Sequence, residues 1–272
     1  MKHSDLGRLE GDLLIFGGPY SNLQALTALL AQAKEMDIPP ERMICTGDIV
    51  AYCGAPAETV AAVRQHGCTV VAGNCERQLA AGEDDCGCGF EEGSACDRLS
   101  QSWYAFARDR VPSADRLWMA GLPDVVSFQS GQKRYAVIHG GVPDVAQFIW
   151  ECDEDAVFDT AWDAIEEAVG PVDAVIAGHS GLPFLRVTPR GSWINAGVVG
   201  MPPHDGAPQT RFAVLGNTGM RIERLEYDVD GAVSDMRNAG LPSDYADALR
   251  SGYWPSEDVL PATLRVPASA RG

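Results

Sequence analysis

Five short polar segments follow apolar, strand-like runs in this chain, and their recurrence constrains the fold more than any other sequence feature. In the first half, these runs alternate with helical patterns, and such alternation implies parallel strands in an α/β sheet. Because the carboxyl ends of parallel strands lie at one edge of a sheet, we expect the segments to meet there. They are Gly18-Pro19-Tyr20, Gly47-Asp48, Gly73-Asn74-Cys75-Glu76, His139-Gly140 and Gly178-His179-Ser180-Gly181.

Three strands are predicted in the first third of the chain, each followed by a helix. They fall at residues 13–16, 43–46 and 69–72, and the second helix is expected at about residues 57–65. The first helix should begin at Ser21, which caps it while Gln24 reaches back, and it should end before Pro39.

The rest of the chain adds a hairpin, further helices and short strands. Residues 125–128 and 135–138 are predicted to pair through a turn at residues 130–132. Helices are expected at about residues 96–108, 113–120 and 153–169, with later strands at 174–177, 184–187, 192–194, 211–215 and 221–227. Without an internal repeat or a clear linker, the pattern favours one domain over residues 1–272, with a Cys-rich insertion near residues 82–96 and a frayed tail from about residue 255.

The charge balance excludes some partners. The chain has 38 acidic and 21 basic residues, which give a net charge of −17. Such a surface repels nucleic-acid polymers and anionic membranes, because both are bound mainly through Lys and Arg. No apolar stretch approaches the roughly 20 residues of a membrane span, and the N-terminus lacks the apolar segment of a signal peptide. The sequence therefore favours a cytoplasmic protein, and it indicates no particular oligomeric state.

Four of the residues after strands have side chains suited to binding a metal. Each residue alone has an ordinary alternative, as a turn residue, a helix cap or a structural histidine. Taken together, a carboxylate, an amide oxygen and two imidazoles at four strand ends favour one divalent cation. This donor set suits Zn, Mn or Fe better than Ca or Mg. The four residues are Asp48, Asn74, His139 and His179.

With these segments, the chain resembles the calcineurin-like metallophosphoesterases, and among them the compact bacterial phosphodiesterases. The resemblance extends from Leu13 to about Leu241, and its most specific motifs are Gly47-Asp48-Ile49-Val50-Ala51-Tyr52, Ile138-His139-Gly140 and Ile194-Asn195-Ala196-Gly197. It implies an α/β fold, a four-layer α/β/β/α sandwich of mixed sheets flanked by helices. It also implies a metal-dependent hydrolase of a small phosphomonoester or phosphodiester.

The resemblance further implies two metal sites, of which only one is complete here. Asp48, Asn74, His139 and His179 match the ligands of one ion. Where the family has the remaining ligands of the other ion, this chain has Gly18, Tyr20 and Gly181. We therefore expect one retained cation beside a dismantled site.

A further departure concerns the third motif, where the family's assisting histidine is replaced by Cys75. A thiol is a poorer proton donor than an imidazolium, so His204 is considered as a compensating catalytic residue. Tyr20, Cys75 and His204 are expected to bind substrate, and the catalytic set comprises His204 with the four metal ligands. The alternative is a non-catalytic relative that binds a phosphorylated ligand or a partner protein.

Four cysteines near the insertion suggest a second metal. Cys75, Cys86, Cys88 and Cys96 could supply thiolate ligands to an auxiliary zinc or extend the main site. Against this, the segment has no pair of Cys-x-x-Cys motifs. A redox or disulfide role and free thiols in an ordered loop are the alternatives.

Overall fold

Two β-sheets pack face to face, and helices cover the outer side of each in the computed structural model, which describes residues 1–267. The strands are β1 (His3–Arg8), β2 (Leu13–Phe16), β3 (Met43–Cys45), β4 (Thr69–Val70), β5 (Val125–Ser130), β6 (Lys133–Val137), β7 (Ala174–Ala177), β8 (Phe184–Val187), β9 (Ser192–Asn195), β10 (Thr210–Gly216) and β11 (Gly219–Leu225). The helices are α1 (Leu23–Glu35), α2 (Pro56–His66), α3 (Asn74–Ala81), α4 (Ala95–Arg110), α5 (Ser113–Met119), α6 (Asp155–Val169), α7 (Val229–Asn238) and α8 (Ser243–Ser251).

Both sheets are mixed. The six-stranded sheet has the order β1-β5-β6-β7-β9-β8, and the five-stranded sheet has the order β11-β10-β2-β3-β4. Strands β2, β3 and β4 run parallel, as do β6, β7 and β9, whereas β5 and β6 form the expected antiparallel hairpin. The carboxyl ends of β3, β4, β6 and β7 therefore present the predicted ligand segments.

Three apolar layers hold the two sheets and the helices together. The inner layer lies between the sheets and includes Ile15, Phe128 and Ile176. On one outer face, Phe158 and Trp162 of α6 pack on the six-stranded sheet. The remaining helices contribute to the layer over the five-stranded sheet. Burying both faces of each sheet in this way produces the four-layer α/β/β/α sandwich, which confirms the expected fold class.

The first helix is capped differently from the prediction. Asn22, not Ser21, is the N-cap, and its Oδ1 accepts a hydrogen bond from the Ala25 backbone N–H at 3.0 Å. Ser21 instead has a φ of +58° and donates its own N–H to the Ile49 carbonyl. The helix begins one residue later because the backbone of Ser21 joins the loop after β3.

The sequence did not indicate β1. This strand contains a single large apolar residue, Leu6, and it is largely exposed at the edge of its sheet. It is held by parallel backbone pairing with β5. A strand stabilised mainly by backbone hydrogen bonds leaves little hydrophobic pattern to detect.

The chain after α8 also differs from the expected frayed tail. Residues 253–260, which we call the C-terminal strap, pack against the body of the protein, and Leu260 is buried. The part of the predicted tail at residues 268–272 lies outside the described residues. The Cys-rich segment between α3 and α4 has no helix or strand. None of the helices within residues 1–267 has the length and apolar character needed to cross a bilayer.

Candidate metal centre

The four predicted ligands meet at one point between the two sheets. Nε2 of His139 lies 3.3 Å from Oδ2 of Asp48 and 3.1 Å from Oδ1 of Asn74. The same nitrogen lies 3.0 Å from Nδ1 of His179. All four side chains are buried, and the donor atoms of Asp48, His139 and His179 lie within 4.8 Å of one another. The structure thus brings together the ligand set that the strand ends suggested.

Hydrogen bonds to neighbouring groups turn each donor atom toward the centre. Nδ1 of His139 lies 2.6 Å from the Thr46 carbonyl, which can only accept, so this nitrogen carries the proton and Nε2 faces the centre. Nδ2 of Asn74 donates to the Cys86 carbonyl at 2.8 Å, which directs Oδ1 inward. Oδ1 of Asp48 accepts from the Cys75 N–H, which leaves Oδ2 free. Supporting bonds of this kind are typical of metal sites.

The arrangement of donor atoms favours a positive charge at this point. A carboxylate oxygen, an amide oxygen and an imidazole nitrogen all face Nε2 of His139, and a proton on that nitrogen could satisfy only one of them. Burial opposes the charged imidazolium, but the Asp48 carboxylate, the Thr46 carbonyl and Glu76 together outweigh it and raise the pKa of His139. Burial and His139 lower the pKa of His179 to about 3. A divalent cation would satisfy all four donors at once, so the residues fit such an ion.

His179 provides a further indication of an absent ligand. Its Nε2 is buried and makes no hydrogen bond of ordinary geometry, although the backbone of Ala146 lies near the ring. Buried polar atoms are normally paired, so an unpaired ring nitrogen beside the cluster needs an explanation. Coordination of a cation through Nε2 would supply one.

Glu76 fixes the loop that carries Asp48. Its fully buried carboxylate accepts hydrogen bonds from the backbone N–H groups of Gly73 at 2.9 Å and of Asp48 and Ile49 at 2.8 Å each. Burial and the nearby Asp48 carboxylate raise the pKa of Glu76 to about 7. Sequence reasoning gave this residue no role. Its position three residues after Gly73 could have indicated this role, because a glutamate there can accept hydrogen bonds from backbone N–H groups at the start of a helix.

An aromatic ring lies beside Gly18, one of the positions where the resemblance predicts a lost ligand. A Cβ atom added to Gly18 would lie 2.4 Å from Cζ of Tyr20, so the tyrosine ring occupies the space that a side chain at position 18 would need. At Gly181, an added Cβ would lie 3.2 Å from Cζ2 of Trp254 in the C-terminal strap. Aromatic side chains have therefore closed the region around both glycines.

A double-mutant cycle tests the packing of Tyr20 against Gly18. In the native background, we expect Gly18→Ala to lower the free energy of unfolding by about 1–3 kcal/mol, because the methyl group meets the ring. In a Tyr20→Ala background, the same change should cost about 1–2 kcal/mol less. Urea unfolding measures both. Gly82→Ala is the control, since Gly82 also has a positive φ but nothing within 4 Å of its Cβ position. Additive effects would show that the ring does not fill this space.

A narrow aromatic cleft adjoins the centre. It contains about 560 Å³ of empty space and is partly open to solvent. Tyr20 and His179 lie in its wall, and no Lys or Arg is among its lining residues, all of which are in the described chain. Its other aromatic lining residues are Tyr52, Phe90, Phe148, Tyr245 and Trp254. Of the predicted substrate-binding residues, the structure places Tyr20 in this wall, whereas Cys75 is buried behind Asp48.

The structure places His204 outside the centre. Its Nδ1 accepts the backbone N–H of Trp254 at 2.7 Å, so its Nε2 carries the proton and lies 2.7 Å from Oε1 of Glu257. Both ring nitrogens thus hold the C-terminal strap. The predicted compensating catalytic role has no support from this geometry, because the ring has no free nitrogen directed at the ligands.

Removing the His204 side chain should loosen the strap without affecting the metal centre. We expect His204→Ala to lower the free energy of unfolding by about 1–3 kcal/mol, because Glu257 and the Trp254 N–H lose a buried partner. The metal content should not change. Urea unfolding and elemental analysis measure the two effects, with His66→Ala as the histidine control. Loss of the bound metal at unchanged stability would instead show that His204 acts at the centre.

Three of the four predicted thiol ligands lie near the side-chain amide of Asn74. Its Nδ2 lies 3.5 Å from Sγ of Cys75 and 3.3 Å from Sγ of Cys88, and it donates to the Cys86 carbonyl at 2.8 Å. Cys96 lies apart from them, in the wall of the cleft. All eight cysteines are free, so the structure contains none of the disulfides considered as an alternative.

Comparisons with known proteins agree with this fold. The model of the calcineurin-like phosphoesterase superfamily domain matches residues 14–218. The chain is 24% identical over 253 residues to the Methanocaldococcus jannaschii protein MJ0912, which is described as uncharacterized, covering 86% of this chain and 95% of that protein.

Two solved structures share the fold. A metallophosphoesterase from Sphaerobacter thermophilus superposes with a TM-score of 0.67 at 21% identity, and the hypothetical protein PH1004 from Pyrococcus horikoshii OT3 with a TM-score of 0.72 at 16% identity. Each match covers 90% of this chain and 100% of the other. Since the family model matches most of the chain and the ligand segments lie within the matched residues, the chain belongs to the calcineurin-like phosphoesterase superfamily.

Proposed function

We propose that this protein is a metal-dependent phosphoesterase that hydrolyses a small phosphomonoester or phosphodiester with a single retained metal site. The observation that carries the proposal is the convergence of Asp48, Asn74, His139 and His179 on one point. Their nitrogen and oxygen donors suit Zn, Mn or Fe. Family membership supports the reaction type.

The residues of the centre and the cleft have separate roles in this proposal. When bound, a divalent cation supplies Lewis-acid polarisation of phosphoryl oxygens and acidifies water. Asp48, Asn74 and His139 would hold the ion, and His179, which faces the cleft, would complete the ligand set. Tyr20 and the other rings enclose the organic part of the substrate and exclude water.

The charge of the cleft favours one kind of ester. Its lining includes no Lys or Arg, so attraction for phosphate comes from the centre alone. A phosphodiester carries one negative charge, whereas a monoester carries about two at neutral pH. We therefore expect diesters to be preferred.

Eight free thiols favour a reducing compartment, in line with a cytoplasmic enzyme.

Two observations favour a second candidate, a non-catalytic protein that binds a phosphorylated ligand or a partner. The ring of Tyr20 excludes a side chain at position 18, and Cys75 stands where relatives are expected to have a histidine. Without a second ion or that imidazole, binding could persist while hydrolysis is lost.

Metal depletion and reloading test the proposal. The chain is stripped with a chelator, reloaded separately with Zn²⁺, Mn²⁺, Fe²⁺ or Mg²⁺, and assayed with nitrophenyl phosphate, bis(nitrophenyl) phosphate and linear and cyclic nucleotides. We expect turnover only after reloading with Zn²⁺, Mn²⁺ or Fe²⁺, and higher turnover for diesters. Turnover that survives chelation would overturn the proposal. Calorimetric binding without hydrolysis for every ion would support the second candidate.

A further inference from the structure

The aromatic rings that line the cleft beside the metal centre differ in how far they are covered. Tyr20 and Tyr245 are buried and pack against Tyr52, with ring centroids 4.8 and 4.4 Å from that of Tyr52. Phe148 and Trp254, by contrast, are only half-buried. Apolar rings that keep exposed surface in a concave site offer a ligand the largest gain from contact. Phe148 and Trp254 are therefore the rings of interest.

The two serine hydroxyl groups in the wall of the cleft already have hydrogen-bond partners within the chain. Oγ of Ser180 accepts from Nδ2 of Asn195 at 2.8 Å, and Oγ of Ser256 accepts from the Asp258 N–H at 3.1 Å. Among the described residues, the lining also contains no Lys, Arg, Asp or Glu. A polyol or a charged group would lose its water here without gaining partners. The cleft therefore suits an uncharged group with apolar faces.

The indole ring of Trp254 is held in the wall by two hydrogen bonds. Its backbone N–H donates to Nδ1 of His204 at 2.7 Å, and its Nε1–H donates to the Pro202 carbonyl at 2.8 Å. Since the indole N–H is already used, the ring offers a ligand its apolar surface. Gly181 makes room for this ring, because an added Cβ would lie 3.2 Å from Cζ2 of Trp254. A ring that is already fixed in place loses little entropy when a ligand contacts it.

The ring of Phe148 joins the cleft to the metal centre. Its centroid lies 4.4 Å from that of the His179 ring, which belongs to the proposed ligand set. The ring also stacks on Trp150, with centroids 5.5 Å apart and planes that differ by 2°. Trp150 is not among the lining residues, so it supports Phe148 from outside the cleft. An organic group attached to a phosphoryl group at the centre would therefore lie close to Phe148.

We propose that the cleft binds an uncharged, flat aromatic group of the phosphoester, which contacts Phe148 and Trp254. Since it rests on the phosphoesterase function proposed above, this assignment adds only the substrate class. The substrates are esters that carry a phenyl-type ring or a nucleobase, rather than sugar or glycerol phosphates. Contact between aromatic rings adds about 2- to 10-fold in affinity beyond the effect of buried area, and stacking of a nucleobase can add more. Phe148 and Trp254 are thus specificity-determining residues.

Calorimetric binding of matched probes tests the substrate class separately from turnover. Phenethyl(methyl)phosphinate and its cyclohexylethyl counterpart have the same charge and chain length, and their P–C bonds resist hydrolysis. Each is titrated into the protein loaded with Mn²⁺. The cyclohexyl ring is thicker and no less apolar, so burial of apolar area alone would not favour the phenyl probe. We expect the phenyl probe to bind about 10-fold more tightly. Thymidine 5′-methylphosphonate and its abasic counterpart form a second pair, which distinguishes a nucleobase from a plain phenyl ring.

Variants of the two rings test their part in this selectivity. Phe148→Leu and Trp254→Leu should each reduce the preference for the phenyl probe by about threefold or more, while the affinity for the cyclohexylethyl probe changes less. Trp118→Leu is the control and should keep the native preference, because this ring lies beside Arg64 and outside the lining. Circular dichroism reports whether each variant is folded.

The outcomes separate this proposal from that of the reaction. The substrate class is overturned if neither aromatic probe binds at least about threefold more tightly than its matched probe, which includes the case in which no probe binds. It is also overturned if folded Phe148→Leu and Trp254→Leu both keep the native preference. Preference for an aromatic probe without turnover of any ester would contradict only the phosphoesterase proposal, whereas turnover without that preference would contradict only the substrate class.

Discussion

Replacing Asp48 by asparagine is expected to remove the bound ion and to lower turnover by a factor of about a thousand or more, the order for several kcal/mol of lost transition-state stabilisation. The substitution removes the negative charge of the centre while leaving an oxygen that can accept the Cys75 N–H. Asparagine also tolerates the φ of +56° at this position, so the fold should persist. His179→Ala should have the same effect, because it removes one of the four donors.

Elemental analysis, kinetics and circular dichroism on the same preparations check this result. Asp247→Asn, at an exposed position of α8, is the matched control and should keep both the metal and the activity. A folded Asp48→Asn variant with native metal content would contradict the assignment of this residue as a ligand. Native turnover in a variant without metal would contradict the role of the ion in catalysis.

Glu76→Ala should lower the free energy of unfolding by about 3–5 kcal/mol. The substitution leaves three buried N–H groups, of Gly73, Asp48 and Ile49, without their acceptor. It also frees the loop that positions Asp48. Because a bound ion adds stability by mass action, the measurement is made on chelator-treated protein.

Urea unfolding tests the prediction for Glu76, provided that the dependence of the free energy of unfolding on urea concentration is the same for the variant and the native protein. Glu167→Ala, at an exposed position of α6, is the control and should change the stability by less than about 0.5 kcal/mol. A change at Glu76 no larger than that of the control would show that the three hydrogen bonds do not hold the loop. If the variant kept its full stability but needed a higher metal concentration for loading, Glu76 would act on the ion rather than on the backbone.

The sequence predicted those features that depend on pattern along the chain. Apolar runs alternating with amphipathic helices gave most of the strands and helices, and Asp48 and His139 were found because each follows such a run. Features that depend on contacts between distant segments were missed. The strand β1 is held by backbone pairing with β5, and its side-chain pattern does not indicate a strand.

The same distinction applies to the site. The resemblance identified the changed positions Gly18, Tyr20 and Gly181, but it could not show what replaced the missing ligands. Trp254 closes that region. It lies in the C-terminal strap, more than seventy residues after Gly181, and the sequence does not show that these two segments are in contact. His204 was expected near the ligands, yet its two ring nitrogens bind the strap. Only the tertiary contacts show these roles.

Anomalous scattering from crystals grown with Mn²⁺ tests the single-site account most directly. Manganese prefers oxygen and nitrogen donors, so it suits the ligand set of this centre. We expect one anomalous peak, coordinated by Asp48 Oδ2, Asn74 Oδ1, His139 Nε2 and a ring nitrogen of His179. No peak among these atoms, or a second one about 3.5–4 Å away on the side of Gly18 and Tyr20, would contradict the account.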